Sequence, residues 1–358
     1  MLGMNCVFRK QVRGVKDIGS VLVLVLIIVS SLTVISVGLA YRTRIEIRLA
    51  QSDARRTQAY YLALGGVERM KALIGQQEEL SPAVLARICQ FNGTAKEERL
   101  FEQLAGLNDT EGGFLTYSLR DEQGYLDINR SDPASWENVP TISREIRAAV
   151  LDWIDADDDT NPDGAETDFY ERLEPAYVAK NRPCVTLKEL LLSRGVTHSM
   201  YAGEDFNRNF LLDDNERDGL LSLPADNEDN ILQPGLVDIF TVYGEARVNI
   251  NTAPGEVLSA LPGLDTDVAD IILSHRAGPD RIPGTEDDVG IASAEEIAEV
   301  EGLTEQQVEL LQQYCCFGSE YFRIFCGAGQ EDSFECCLFA VVVYTDGKPL
   351  VLSVERLL

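Results

Sequence analysis

An uncharged run of 22 residues from Ser20 to Tyr41 constrains the fold of this chain more than any other sequence feature. As an α-helix it would be about 33 Å long, enough to cross the hydrocarbon core of a bilayer. The segment before it is cationic, with one acidic residue, Asp17, against Arg9, Lys10, Arg13 and Lys16. Cationic flanks of this kind stay cytoplasmic. We therefore predict a transmembrane helix over 20–41, with the bulk of the chain on the outer side.

The helix is expected to continue beyond the membrane. No proline occurs from Arg42 to Ile74, and small or apolar residues recur there at helical spacing: Ala59, Leu62, Gly66, Met70 and Leu73. This pattern predicts one continuous helix whose second half, 42–75, is a stalk outside the lipid. The alternative is a secretory signal cut after Ala40, for which the apolar run is too long.

The composition of the chain disfavours several classes of function. The 358 residues carry 31 Lys and Arg against 59 Asp and Glu, a net charge of −28, which opposes binding to DNA. His198 and His275 have no Cys or second His at metal spacing, which disfavours zinc hydrolases and Ser-His-Asp sites. Five of the eight cysteines lie between 315 and 337. In an exported domain such a cluster favours disulfides over metal ligation, with a connectivity that is not readable.

Two parts of the middle of the chain resemble each other. Residues 124–133 and 246–254 each indicate a short apolar strand followed by a turn. Their downstream partners, 185–197 and 292–304, each begin with a capping box and end near a Gly. Because strand, cap and Gly recur in the same order, we predict two copies of a small helical module.

These modules, about 126–200 and 246–314, would make the whole of 126–314 mostly helical. The second copy is similar to a helix-hairpin-helix motif, whose backbone amides usually meet nucleic-acid phosphates. Asp265, Asp267 and neighbouring carboxylates would repel such a backbone. A role in packing and protein contact is therefore favoured.

Two acidic stretches are candidate calcium sites. The first has oxygen donors at positions one, three, five, seven, nine and twelve of a calcium loop: Asp205, Asn207, Asn209, Leu211, Asp213 and Glu216. Leu211 would offer its backbone carbonyl and Glu216 a bidentate carboxylate. Phe210 departs from the pattern, because the sharp turn at that position normally requires Gly. A solvated acidic turn is the alternative.

The second stretch is denser and less regular, with candidate ligands Asp155, Asp157, Asp159, Asn161, Asp163 and Glu166. No basic residue lies between Asp155 and Asp168, so the carboxylates repel one another and a divalent cation would relieve the repulsion. A solvated loop is the equal alternative, because acidic chains produce such runs by chance. A third acidic loop, around Asp280 and Asp288, has no preferred ligand set.

The first 66 residues carry a specific resemblance to a known family. Gly19-Ser20 before the apolar run, Tyr41-Arg-Thr-Arg after it and Gln58-Ala-Tyr-Tyr-Leu-Ala-Leu-Gly-Gly in the stalk resemble minor pseudopilin K of type II secretion. In that family a prepilin peptidase cuts after the glycine, here Gly19 with Gly14 as a second candidate. The enzyme then methylates the new N-terminus, here Ser20. Leu24 stands at the fifth mature position, where most pilin-like subunits have Glu, and this difference is typical of the K subunit.

The resemblance spans nearly the whole mature chain and implies an α+β fold. A pilin-like α/β domain with an antiparallel sheet would be interrupted by a large, mostly helical insertion that contains the two similar modules. β-rich runs in 113–129 and 320–355 agree with one sheet assembled across this insertion. The implied segments are a leader 1–19, the transmembrane helix 20–41, the stalk 42–75, a split domain 76–125 and 315–358, and the insertion 126–314.

The function implied by the resemblance is noncatalytic. It is that of a single-pass inner-membrane protein, mostly periplasmic, at or near the tip of a pseudopilus in a machine that exports folded proteins. Its partners would be minor pseudopilins I and J, other secretion components and the membrane, without nucleic acid. Calcium is a family trait, and Gly164-Ala-Glu-Thr-Asp-Phe-Tyr resembles the family's corresponding stretch. The alternatives are a membrane-anchored competence protein that holds DNA through its hairpin motif and, less favoured, a periplasmic metal-dependent hydrolase.

The mature N-terminus distinguishes these possibilities. Prepilin peptidase would leave N-methylated Ser20, a signal peptidase would leave Tyr41, and an uncleaved anchor would keep Met1. We expect mass spectrometry of the chain purified from membranes to find N-methylated Ser20. A chain that begins at Tyr41 or retains Met1 would contradict the assignment.

Overall fold

A computed structural model of the chain describes residues 16–76, 113–139, 141–205, 212, 214–219, 229–285, 287–330, 333–345 and 347–356. Its α-helices are α1 Lys16–Gln76, α2 Arg144–Ile154, α3 Thr167–Tyr170, α4 His198–Ala202, α5 Gly255–Ala260, α6 Thr266–Arg276, α7 Ala294–Ile297 and α8 Glu305–Tyr314. Its strands are β1 Gly113–Asp121, β2 Leu126–Asp127, β3 Phe240–Thr241, β4 Val248–Asn249, β5 Cys315–Cys316, β6 Tyr321–Gln330, β7 Ser333–Thr345 and β8 Lys348–Arg356. The chain divides into two units, Met1–Gln58 and Ala59–Leu358.

The described part of the first unit is helix. Residues 21–50 of α1 are exposed along their whole length, although most of them are apolar. Within Val21–Ala72 an 18-residue window reaches a mean hydropathy of 2.8. By length and composition α1 can therefore cross a membrane, and it contains the span predicted at 20–41.

The second unit is built on a four-stranded antiparallel sheet in the order β1-β6-β7-β8. One sheet face packs against the last turns of α1. The helix contributes Ala59, Ala63, Val67, Met70 and Ile74, and the sheet contributes Leu115, Leu119, Phe322, Ile324, Cys326, Ala328, Cys336, Leu338, Ala340 and Val342. The helix residues recur every three or four positions and the strand residues alternate, so each element buries one face.

Gly66 has a packing role that offsets its low helix propensity in α1. A Cβ atom at position 66 would lie 3.0 Å from the Sγ of Cys326 and 3.3 Å from a methyl carbon of Leu115. The missing side chain therefore allows the helix to approach β6 and β1 closely. Of the predicted helix face, Ala59, Gly66 and Met70 are buried, and Leu62 is half-buried.

The residues between β1 and β6 form a body of short helices, turns and irregular segments with its own core, which includes Trp136, Tyr170, Phe240, Val257 and Ile272. β2 and β4 lie at the starts of the two repeated segments, and each forms a short parallel pair with a strand further along the chain, β2 with β3 and β4 with β5. The sequence places all of 113–129 in the large sheet, which is wrong for β2. A 3-10 turn at Glu122–Gly124 redirects the backbone, and β2 pairs with β3 instead.

The predicted helix caps make the expected bonds. Glu189 accepts a hydrogen bond from the backbone N–H of Thr186 at 3.2 Å. The hydroxyl of Ser293 accepts one from the backbone N–H of Glu296 at 3.4 Å. These bonds fix the starts of the corresponding helical turns in both repeated segments.

The prediction of disulfides is wrong for the six described cysteines, Cys184, Cys315, Cys316, Cys326, Cys336 and Cys337, which are all free. Residues close in sequence lie in different cores. Cys315 belongs to the core of the insertion, Cys326 and Cys336 to the helix–sheet core, and Cys337 to the opposite sheet face. Burial raises the pKa of Cys337 to about 12, so it remains a thiol. Cys6 and Cys89 lie outside the described residues.

Two consecutive acidic residues at the end of β1 join the sheet to the insertion. Asp121 is buried, and its Oδ2 atom accepts hydrogen bonds from Asn249 Nδ2 at 2.9 Å, from Thr252 Oγ1 at 2.5 Å and from the hydroxyl of Ser319. Burial raises the pKa of Asp121 to about 6, although these donors lower it. Asp121 therefore connects β1 with the second repeated segment and with the loop before β6.

Glu122, also buried, forms an ion pair with Arg323 on β6 and accepts a hydrogen bond from the hydroxyl of Thr241 on β3. The Arg323 side chain is only 11% exposed. Breaking a buried pair at one partner leaves a charge without compensation. Glu122 therefore connects the sheet with the first part of the insertion.

We expect Glu122→Gln to lower the free energy of unfolding by about 3–5 kcal/mol, because it leaves the Arg323 charge buried and unpaired. The matched control is Glu68→Gln, which removes an exposed pair with Lys71 and should cost about 1 kcal/mol or less. Denaturant unfolding of the full chain in detergent micelles, followed by near-ultraviolet circular dichroism, measures both. Equal losses in the two variants would contradict the role assigned to Glu122.

Candidate metal site

The acidic loop 155–168 follows helix α2. The hydroxyl of Ser143 caps the start of α2, and the helix buries Ile146, Ala149, Val150 and Trp153 on one face. Asp152, completely buried, lies among these residues. Asp155, the C-cap residue of α2, follows three positions later, so both carboxylates lie near the C-terminal end of the helix. The helix dipole is unfavourable for negative charge at this end, which makes a positive ligand favourable there.

Glu166 completes a group of three carboxylates. One oxygen from each of Asp152, Asp155 and Glu166 lies within 4.8 Å of the others. Glu166 is 2% exposed, and neither of its carboxylate oxygens has a hydrogen-bond partner among the described residues, nor does Oδ1 of Asp155. Buried carboxylate oxygens without donors are costly. The donor set fits a hard cation such as calcium, which prefers oxygen ligands.

The electrostatics of the group agree with this fit. Burial, followed by the charges of Asp152, Asp155 and Asp158, raises the pKa of Glu166 to about 7. Burial, followed by the charges of Asp157 and Asp152, also raises the pKa of Asp155. A bound divalent cation would oppose these effects, because it favours the ionised form of each carboxylate.

Two asparagines and a glycine lie around the carboxylates of the acidic loop. The backbone N–H of Asn161 donates to Asp152 Oδ1 at 3.2 Å, and its side-chain amide donates to the same oxygen. Asn181 donates to Asp158 Oδ1 at 3.3 Å, while its own Oδ1 is buried without a partner among the described residues. A Cβ atom at Gly164 would lie 2.1 Å from Asp152 Oδ2, so only glycine fits at this position.

The structure brings together some of the predicted ligands of this loop. Asp155 and Glu166 converge, and Asn161 contacts Asp152. Asp157, Asp159 and Asp163 are exposed, and Asp163 pairs instead with Arg144 at 3.2 Å.

Sequence reasoning missed Asp152 and the neighbouring Asn181. The available signal for Asp152 was a carboxylate on the apolar face of an amphipathic helix, one turn before Asp155. Asn181 lies beyond the acidic run, and its approach to Asp158 depends on how the chain returns to the loop.

The predicted loop from Asp205 to Glu216 lies mostly outside the described residues. Its intermediate ligands fall there, namely Asn207, Asn209, Leu211 and Asp213. Asp205 and Glu216 are described, and both are buried, at 8% and 1% exposure. This calcium loop stays a prediction.

Most carboxylate oxygens of the third acidic loop have donors close at hand, although Oδ1 of Asp288 is buried without a partner among the described residues. The hydroxyl of Thr285 donates to Asp287 Oδ1 at 2.6 Å, and the backbone N–H of Asp280 donates to Asp287 Oδ2 at 3.2 Å. The backbone N–H of Gly284 donates to Asp288 at 2.8 Å. The loop is therefore held largely by its own hydrogen bonds.

Comparison with known proteins links the acidic loop to one family. Residues 137–203 match the family model described as "Type II secretion system (T2SS), protein K". Type II secretion system protein K of Klebsiella pneumoniae is 25% identical over 203 residues, which cover 51% of this chain and 59% of that protein. The Aeromonas hydrophila protein K is 23% identical over 210 residues, which cover 51% and 60%. The chain thus spans less than two thirds of the length of these relatives.

A solved structure shares the fold. A chain in the crystal structure of the GspK-GspI-GspJ complex from the enterotoxigenic Escherichia coli type 2 secretion system matches with a TM-score of 0.51 at 14% identity. The match covers 88% of this chain and 99% of that chain. It agrees with the α+β fold of a long apolar N-terminal helix and an antiparallel sheet, and that fold prediction is confirmed.

Calcium should stabilise the folded chain, because a ligand that binds only the folded state raises its stability, by about 2.7 kcal/mol at a hundredfold excess over Kd. We expect a higher melting temperature with calcium than with chelator, and Glu166→Gln should remove most of the difference. Asp163→Asn, at an exposed position, is the matched control and should keep it. Full-length protein in detergent micelles is measured by near-ultraviolet circular dichroism.

Two results would remove calcium from this site. One is identical melting of the wild-type chain in calcium and in chelator. The other is a calcium shift that Glu166→Gln leaves intact but Glu216→Ala abolishes, since this would assign the ion to the loop from Asp205 to Glu216.

Proposed function

We propose that this chain, a relative of protein K of the type II secretion system in sequence and fold, is a minor pseudopilin that helps to export folded proteins. The observation that carries the proposal is the architecture of α1. Its first part is an exposed apolar helix, and its last turns are buried against an antiparallel sheet. Such a helix supplies a membrane anchor and the framework of a folded domain in one element, as a membrane-assembled filament subunit requires.

The N-terminus would be processed between Gly19 and Ser20, with methylation of Ser20. The helix fits a single-pass anchor, and the cationic leader favours an inner-membrane protein with its bulk in the periplasm. An oxidising periplasm is compatible with the free described cysteines, because all but Cys316 are buried and buried thiols react slowly.

A position at or near the tip is supported by two features. Glu at the fifth mature position would pair with the N-terminus of a neighbouring subunit, and an unpaired charge in lipid is costly. Leu24 cannot form that pair. In addition, the insertion between β1 and β6 would crowd neighbours if it were repeated at every turn of a filament.

Minor pseudopilins I and J are the proposed partners at this tip. The support is the fold shared with a chain of the GspK-GspI-GspJ complex. Other pseudopilus and inner-membrane components would contact the subunit during assembly. Calcium bound by Asp152, Asp155 and Glu166 would order the loop of the insertion and would have a structural role.

The alternative DNA-binding function is opposed by the hairpin itself. Asp265 precedes α6, and its carboxylate accepts a hydrogen bond from the backbone N–H of Val268 at 3.0 Å. An amide that such a motif could offer to a phosphate is thereby occupied. Asp267 and Asp270 are exposed on the same short helix and would repel the phosphate.

The alternative of a metal-dependent hydrolase is opposed by burial of the candidate site. Catalytic metal sites keep a coordination position open to water or substrate. Here Asp152 and Glu166 are 0% and 2% exposed, which suits a closed structural site. We therefore propose a noncatalytic function.

We expect the full chain in detergent to form a discrete complex with its cognate I and J pseudopilins, with one copy of each. Size-exclusion chromatography with light scattering gives the stoichiometry. Mixtures that omit I or J serve as controls and show which contact is direct. If the chain bound neither pseudopilin, the tip assignment would be wrong.

A further inference from the structure

The part of α1 that follows the uncharged run is rich in arginine. Residues 42–56 contain five arginines against two carboxylates, Glu46 and Asp53, although the whole chain has a net charge of −28. All five arginines are exposed. They lie on the opposite side of the run from the cationic leader, where a membrane-spanning helix normally carries few positive charges. Orientation in the membrane therefore does not explain this arginine-rich segment.

Helical geometry places the positive and negative charges of this segment on different faces. At 3.6 residues per turn, Arg44, Arg48 and Arg55 fall within about 40° of one another around the helix axis. Glu46 lies on the opposite face, where it forms an ion pair with Arg42 at 2.9 Å. Within the parts of the chain that the structure describes, neither Arg44 nor Arg48 has an ion-pair partner. These two guanidinium groups are therefore available to an anion outside the chain.

Arg44 and Arg48 lie at the height of lipid headgroups when the uncharged run spans the hydrocarbon core. At a rise of 1.5 Å per residue, they are about 4.5 Å and about 10 Å beyond Tyr41 along the helix axis. The headgroup layer on each side of a bilayer is about 5–8 Å thick, and long arginine side chains bend toward it. Arg55 is about 21 Å beyond Tyr41 and lies out of reach of this layer.

The face of α1 that carries these arginines is apolar one and two turns earlier. Val37 and Tyr41 precede Arg44 by seven and three positions, so they share its face. They are 64% and 69% exposed, and tyrosine is enriched at the boundary between lipid and water. Along one face the helix thus presents an aliphatic side chain, an aromatic ring and two guanidinium groups. A phospholipid has a matching order, from its acyl chains through the glycerol backbone to the phosphate.

We infer that Arg44 and Arg48 bind the phosphate of an anionic phospholipid whose acyl chains lie along Tyr41 and Val37. The planar guanidinium group offers several donors to phosphate oxygens. A zwitterionic lipid carries an ammonium group that opposes this attraction, so a lipid with a net negative charge is preferred. The bound lipid compensates the two arginine charges and holds the helix at one depth in the bilayer. The inference rests on the proposed anchoring of α1 in the membrane.

The full chain reconstituted in phosphatidylcholine vesicles tests the inference. Electron spin resonance measures the fraction of spin-labelled phosphatidylglycerol, and of spin-labelled phosphatidylcholine, that the protein immobilises. We expect a preference for phosphatidylglycerol, because one arginine at the surface favours an anionic lipid about fivefold. Averaged over all lipids around the helix, Arg44→Gln and Arg48→Gln should each lower the preference by about twofold or more. Arg56→Gln, exposed on the same helix but about 22 Å beyond Tyr41, is the matched control and should retain it.

Equal immobilisation of the two lipid probes would overturn the inference, as would an equal loss of preference in Arg56→Gln. If soluble glycerol phosphate abolished the preference, the arginines would bind a free anion instead of a lipid. If the preference were absent and Arg44→Gln weakened binding to pseudopilin I or J, this face would be a protein contact. Alkaline extraction of the vesicles reports insertion separately. A chain that it releases contradicts both the membrane anchor and the inference, whereas an inserted chain without the lipid preference contradicts the inference alone.

Discussion

The buried carboxylates of Asp121 and Glu122 hold the second unit together. They are adjacent in sequence, yet their partners come from four separate segments: β6, β3, the turn after β4 and the loop before β6. A buried carboxylate without donors or a cation would be strongly unfavourable. Neither the sheet nor the insertion can therefore satisfy these groups alone. This explains why 59–358 forms one compact unit although the insertion interrupts the sheet in sequence.

The two parts of helix α1 differ in composition because the first suits lipid and the second packs against the sheet. Its first part uses large aliphatic residues, which suit lipid. Its last turns use Ala59, Ala63 and Gly66 on the buried face, because the sheet approaches closely there. The same helix can thus serve as an anchor and as the central element of a domain.

The carboxylates of this acidic chain differ in whether a cationic side chain lies beside them. Some carboxylates of the insertion have cationic partners, such as Glu189 with Lys180 and Glu137 with Arg147. Asp152, Asp155 and Glu166 instead converge on one another, with oxygens that lack donors. A group of this kind is stable when a cation supplies the missing charge. Calcium at this loop stays a prediction, and its charge would compensate these carboxylates.

The sequence by itself determined the features that depend on local pattern. The uncharged run fixed the apolar helix, helical spacing fixed much of the buried face of α1, and capping residues such as Thr186 and Ser293 fixed helix starts. Period-two runs indicated the large sheet, and the resemblance of the N-terminus indicated the family. Within the acidic loop the run itself pointed to Asp155 and Glu166. These properties involve residues a few positions apart, whose geometry the backbone period dictates.

Only the tertiary structure decided which distant residues meet. It placed neighbouring cysteines in separate cores, paired β2 with β3, and joined Asp152, hidden in the apolar face of α2, to Glu166. It also directed Asp163 away to Arg144 and left β8 at the sheet edge. The physical reason is that such contacts depend on how elements pack, and a one-dimensional pattern records which face of an element is buried but not what buries it.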